Sequence, residues 1–144
     1  MRRPSIVTLA LGGMLLAAAP AWPHHSFAAE FDRNKVVKLQ GRVTRMEWVN
    51  PHAWIHVEVT KDDGSKEEWM VEGNTPNGLI RRGFTKASLQ EGTELLVEGY
   101  QAKSGENRMS GSSVTFADGK KLFLGSSAGD EPPEIAPAPG KAKK

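Results

Sequence analysis

The segment Val36-Val37-Lys38-Leu39-Gln40-Gly41-Arg42-Val43-Thr44-Arg45-Met46-Glu47-Trp48 decides the fold. Its apolar residues recur with a period of two, the period of a β-strand. Val37, Leu39 and Val43 share one parity, with Gly41 between them, whereas Met46 and Trp48 carry the other. A parity switch within one long strand reads as a β-bulge. Such a bulge bends the strand and lets it pair with two neighbours.

Working outward, the same period continues downstream. A second strand covers about Ala53 to Thr60, with Ile55, Val57 and Val59 on one face. Asp62-Asp63-Gly64 is a hairpin turn signal. A third strand runs from about Lys66 to Glu72 and carries Trp69 and Val71, with Trp69 read as core. A helix follows: Asn74 or Thr75 caps it, Pro76 suits its first turn, and Gly83 suits its end. A further short turn is expected over Thr85 to Leu89. The fourth strand spans about Glu94 to Ala102 with Leu95 and Val97 inward, and the fifth Arg108 to Phe116 with Val114 and Phe116 inward. Lys121 to Leu124 fits a short final strand. The expected fold is mainly β: a five-stranded OB-like Greek-key barrel with one short helix between strands three and four. A small open sheet or sandwich carrying one helix is the alternative.

Upstream, Arg2 and Arg3 precede the uncharged, largely apolar run Ile6 to Ala19, and Ala19 and Ala21 suit a signal peptidase. The expectation is a signal peptide over 1–21, cleaved after Ala21, and export to the periplasm or beyond. The run is shorter than the roughly 20 residues of a bilayer span, so no membrane anchor is expected to remain after processing. Residues 22–35 read as an N-terminal arm, 36–125 as the barrel domain, and 126–144, rich in Ser, Ala, Pro, Gly and Lys, as a disordered tail. The chain has no cysteine, which excludes disulfides, thiolate metal sites and a thiol nucleophile. Its net charge of +2 vanishes once Arg2 and Arg3 leave with the signal. Nucleic-acid binding, which needs excess clustered Lys and Arg, loses its electrostatic support.

All four histidines fall in two short segments, His24 and His25 in the arm and His52 and His56 around the second strand. Imidazole is a ligand for copper and zinc, so the clustering raises a metal hypothesis built on His24, His25 and His52. His52 and His56 are four apart, about 13 Å along a regular strand, and cannot share one ion. The alternative places His52 at a loop-to-strand corner, bonded to backbone, and His56 on the strand, partly exposed. Cleavage after Ala21 makes His24 the third residue of the mature chain, but Pro23 lacks the amide proton of the usual amino-terminal Cu(II) site. Without metal, the pair is the polar start of an arm anchored by Phe27 and Phe31.

Trp48, Asn50, Pro51, His52 and Trp54 crowd the first hairpin, and in OB barrels the strand two and three face is the usual ligand surface. Asn50, His52, Trp54 and His56 are the candidate ligand-binding residues. Trp54, Trp69 and Tyr100 are the aromatic rings able to stack on a ligand. Arg81 and Arg82 suit a helix C-terminus, and Asp62-Asp63 and Glu67-Glu68 read as solvated charge. No nucleophile elbow, phosphate loop or metalloprotease helix is present.

These residues resemble a family of small exported bacterial proteins, domain of unknown function 6152. The resemblance rests on His24-His25-Ser26-Phe27-Ala28-Ala29-Glu30-Phe31 and Glu47-Trp48-Val49-Asn50-Pro51-His52. It continues through Glu72-Gly73, Pro76-Asn77, Leu79, Arg81-Arg82-Gly83, Leu89, Gly92, Glu98-Gly99-Tyr100, Ala102-Lys103 and Asp118-Gly119-Lys120. It implies an exported, single-domain, β-barrel-like protein and supplies no activity. Family members commonly place the histidine pair directly after an alanine cleavage site, and here Trp22-Pro23 intervene.

The sequence therefore points to a periplasmic, non-enzymatic binding module for a small ligand, saccharide-like or otherwise polar, or an envelope protein. A copper- or zinc-handling protein, its arm histidines joined to His52, is the first alternative. An accessory subunit of an envelope complex is the second.

Overall fold

A computed structural model describes residues 27–125. The signal-like leader 1–21, residues 22–26 with His24 and His25, and the tail 126–144 lie outside the described residues.

The long strand β1 (Phe31–Glu47) carries its bulge between Val43 and Arg45. Before the bend it pairs antiparallel with β4 (Glu94–Ala102), from Phe31 opposite Ala102 to Arg42 opposite Glu94. Its pairing with β2 (Trp54–Thr60) begins at Arg42, opposite Glu58, and runs across the bulge to Glu47 opposite Trp54. The parity switch thus marks the corner it was expected to mark. The strand begins at Phe31 rather than Val36, because the polar run Asp32-Arg33-Asn34-Lys35 and a register irregularity between Phe31 and Val36 hide the period. Gly41 sits where the backbones cross closely: a Cβ there would run into the carbonyl oxygen of Glu58.

The remaining elements are β3 (Lys66–Glu72), the helix α2 (Pro76–Arg81), β5 (Arg108–Phe116) and β6 (Lys121–Phe123). A helical turn, α1 (Phe27–Glu30), leads into β1. All six strands form one sheet in the order β3-β2-β1-β4-β5-β6. β3 also pairs with β5, in parallel, from Met70 opposite Arg108 to Glu72 opposite Ser110. That pairing turns the sheet into a ring, with β6 on the outer edge of β5. The described chain is mainly β, with six strands where five full strands and a doubtful sixth are read from sequence.

Inside the ring lie Val43, Ile55, Val57, Trp69, Val71, Leu95, Val97, Met109 and Val114, all buried. One end is covered by Leu79 of α2 with Phe84, Leu89 and Leu124. The helix starts as its sequence predicts: Thr75 Oγ1 accepts the Gly78 N–H at 3.0 Å, and Pro76 fills the first turn. Gly83 closes it at φ +95°, a conformation that favours glycine.

A second apolar cluster forms outside the ring from Phe27, Phe31, Tyr100 and Ala102. The Phe27 ring stacks on Phe31 at 5.7 Å and meets Tyr100 edge-on at 5.4 Å. The arm is thereby anchored, and Tyr100 is occupied inside the protein rather than open for a ligand.

Glu98 is the one acid on the outer face of β4 with a large electrostatic role. Burial alone pushes its carboxyl up, but Lys121 Nζ (2.7 Å), Lys38 Nζ (2.7 Å) and Ser113 Oγ (3.1 Å) outweigh this and hold it at about 2. A depressed folded value contributes stability above the unfolded value of 4.5 and loses it as pH falls through about 2. The full shift corresponds to about 3 kcal/mol. Solvent screening of the half-exposed Lys38 reduces it to about 1–2 kcal/mol. Unfolding free energies from urea titrations at pH 5 and pH 2 are expected to fall by that amount more in the parent protein than in Glu98→Gln. Parallel curves for the two proteins would contradict the assignment.

Candidate functional site

Alternation along the strands gives the ring an outer face. Ile55, Val57, Trp69, Val71 and Met109 point inward, so Trp54, His56, Met70, Glu72, Arg108 and Ser110 point outward. The registers set these into rows across the sheet. One row runs Tyr100, Ser110, Glu72, Trp54, Glu47, and the next Arg108, Met70, His56, Arg45. Trp54 is half-buried, and Met70 is 36% exposed. Trp48 packs partly on the core beside the exposed Val49, Asn50 and Pro51, and a cis peptide joins Asn50 to Pro51.

The two strand-two histidines have opposite surroundings. His56, expected to be partly exposed, is only 3% exposed. Its Nε2 lies 2.8 Å from Glu47 Oε1 and its Nδ1 3.0 Å from Glu68 Oε1. Arg45 Nη2 sits 3.0 Å from Nε2 and 2.8 Å from Glu47 Oε1. The ring is thus roofed by three charged side chains from β1 and β3. The carboxylates take opposite ring nitrogens, so they cannot converge with the imidazole on one ion. His56 is a structural element of this face, not an open ligand contact.

His52 is half-buried at the corner where the first loop meets β2. Its Nδ1 donates to the Gly73 carbonyl oxygen at 3.2 Å, and Glu72 Oε1 lies 3.7 Å from the same nitrogen. A carbonyl can only accept, so the proton is on Nδ1. In the neutral ring that leaves Nε2 with its lone pair outward of this contact, and among the described residues Nε2 has no hydrogen-bond partner. Glu72 is 5% exposed, held on the outer face between Ser110 and Trp54.

The structure brings Trp54, His52 and the loop at Asn50 to one end of this face and removes His56 from it. His24 and His25 lie outside the described residues. Among the described residues no three His, Asp or Glu side chains converge as a metal site. Three contributors were missed in the sequence: Arg45, Glu47 and Glu68. Glu68 was read as solvated charge, and only the pairing register places it opposite Glu58 and diagonal to His56. Glu67, by contrast, accepts the Trp69 indole N–H at 2.9 Å and faces Lys61, and these hold its carboxyl below the usual range.

Elsewhere, a shallow groove of about 380 Å³ lies at the bend between Gln40, Gly41, Arg42, Glu58, Thr60, Lys66 and Glu94. Its charges are matched internally, Arg42 to Glu94 at 3.1 Å and Lys66 to Glu58 at 2.7 Å. Arg81 and Arg82 stand at the C-terminus of α2, where cations suit the helix. Among the described residues no helix is long and apolar enough to cross a membrane.

Fold and face together define a small ring-shaped β protein with one aromatic and polar outer surface. A protein-family model described as a family of unknown function, domain of unknown function 6152, matches residues 13–111, and the chain belongs to that family. The matched span takes in all four histidines and Trp54. No curated protein and no solved structure matches the chain.

Replacing His56 tests its structural role. His56→Ala is expected to lower the unfolding free energy by about 1–3 kcal/mol, since it strips partners from Glu47 and Glu68 beneath Arg45. A urea midpoint unchanged from the parent would show that the bracketed ring contributes nothing.

Proposed function

We propose that this protein is a periplasmic, non-enzymatic binding module on an OB-like Greek-key barrel. Its ligand surface is the first hairpin and the adjoining outer face, with Asn50, His52 and Trp54 as the contact residues. The barrel reading is supported by the ring order, by the parallel closure of β3 on β5 and by a helix placed between β3 and β4. In barrels of that type the strand two and three face receives the ligand.

One observation carries the functional reading. Contact capacity left over from folding gathers at one end of one face: the half-buried Trp54 and His52, the exposed Val49 and Asn50, and Met70. An indole with a polar rim is the means by which shallow surfaces hold neutral polar ligands such as saccharides. Chitotriose and maltotriose serve as probes, read by amide shifts in a nitrogen-labelled sample of the mature chain. Shifts are expected around residues 48–54 and 70–72, and Trp54→Ala is expected to weaken binding at least about tenfold, or 1.4 kcal/mol. Shifts scattered over the whole surface, or none at millimolar probe, would overturn a small-ligand surface here.

Export is the second part of the proposal, supported by the charged, apolar and small-residue order of residues 2–21. Intact-mass measurement of protein from the envelope fraction is expected to give a chain beginning at Trp22. A full-length mass recovered from the cytoplasm would contradict it.

A further inference from the structure

We propose that Met70 is an oxidation site on the outer face: a peroxide converts its thioether to the sulfoxide, and the Arg108 guanidinium receives the new oxygen. The proposal goes beyond the reading of this face as a ligand surface and stands or falls without it. Three observations carry it.

First, Met70 is the accessible thioether. The described residues contain three methionines, Met46, Met70 and Met109. Met109 is fully buried in the core, and Met46 packs partly buried against it. Met70 points outward from β3 and is 36% exposed. Oxidation requires contact between sulfur and oxidant, so access sets the order of reaction. The chain has no cysteine, so no thiol of its own competes for the oxidant.

Second, the surroundings of Met70 offer a sulfoxide oxygen one open donor. Its register partners are His56 on β2 and Arg108 on β5, and Glu68 and Glu72 flank it along β3. A sulfoxide oxygen accepts hydrogen bonds, and the two carboxylates can only accept as well. Both ring nitrogens of His56 are occupied, by Glu47 at 2.8 Å and by Glu68 at 3.0 Å. Arg108 differs. Among the described residues its Nε is buried with no hydrogen-bond partner, and its Nη2 lies 3.5 Å from Glu30 Oε2. The guanidinium is held over the Phe31 ring at 5.6 Å. A buried N–H without a partner is rare and costly, and this one stands one strand away from the thioether.

Third, the backbone holds the two side chains side by side. β3 and β5 run parallel here, with Met70 opposite Arg108 and the Met70 N–H on the Asn107 carbonyl at 2.9 Å. One inter-strand step, about 5 Å, separates them. In the reaction the sulfur lone pair attacks one peroxide oxygen and the O–O bond breaks. An S–O bond forms, and the other oxygen leaves as water with the proton of the transferred hydroxyl. Sulfur gives up the two electrons that the peroxide gains. An apolar thioether becomes a polar acceptor beside an unfilled donor, and sulfoxide reductases reverse the change.

The test treats the purified mature chain with dilute hydrogen peroxide and locates the added oxygen by mass spectrometry of tryptic fragments. Met46, Met70 and Met109 fall in separate fragments, 46–61, 67–81 and 109–120. Met70 is expected to oxidise before Met46 and at least about tenfold faster than Met109. Equal rates, or Met70 the slowest, would overturn the proposal. In a nitrogen-labelled sample the Arg108 Nε–H resonance is expected to move on oxidation and to return after treatment with methionine sulfoxide reductase. A resonance that stays in place would show that Arg108 does not take the oxygen. Urea unfolding supplies a second measure. Oxidation is expected to lower the midpoint at least about twice as much in Arg108→Leu as in the parent, and to leave Met70→Leu unchanged. Arg108→Lys, which keeps the charge without Nε, is expected to follow Arg108→Leu and serves alone if the leucine variant does not fold. Equal losses in the parent and the arginine variants would overturn the pairing of Met70 with Arg108.

Discussion

Everything in this fold hangs on the bend of β1. β2 and β4 both pair with it, β3 is attached through β2, β5 through β4, and the β3–β5 pairing then closes the ring. Without the bulge between Val43 and Arg45, one strand would run straight past both partners and leave exposed edges. Gly41 makes the bend possible, because the backbone of β2 at Glu58 occupies the space a side chain would need. The bulge also keeps the core continuous: Val43 points inward before it and Met46 packs on the same core after it. Its extra residue has a further effect. Thr44 and Arg45 are both turned outward, where Thr44 Oγ1 reaches Glu68 at 3.5 Å and Arg45 covers His56. One backbone irregularity therefore sets the topology and builds the charged roof of the outer face.

That roof explains why two histidines on one short stretch have different uses. Beside the bulge, His56 meets carboxylates at both nitrogens and an arginine above, so its polar capacity is consumed within the protein. At the other end of β2, the described residues on the ring of His52 are the Gly73 carbonyl and the neighbouring Glu72, both on its Nδ1 side. The same chemistry becomes a closed structural element in one place and an oriented imidazole in the other. Distance from the bulge decides which.

Most of the architecture was legible because it is periodic. The parity switch in 36–48, the turn at Asp62-Asp63-Gly64 and the helix start at Thr75-Pro76 are all local signals, and the elements fall where these place them. The start of β1 was not legible, since Asp32 to Lys35 carry no apolar alternation and their pairing depends on β4. Nor was the burial of His56. Glu47 and Glu68 are nine residues before and twelve after it, and nothing local says that the register will set both against its ring. Tyr100 was misjudged for a related reason: its partner Phe27 is remote in sequence and arrives only through the arm. The His52 corner was legible as a place but not as a proton assignment, which required the Gly73 carbonyl.

The arm's anchor bears on the energetics of any site at that corner. A tail of free residues loses entropy in reaching a fixed point, and the loss grows with the length to be closed. Phe27, Phe31 and Tyr100 meet that cost in the apolar cluster, reinforced by Lys103 Nζ on the Ala28 carbonyl at 2.6 Å and the Lys103 N–H on Glu30 at 2.8 Å.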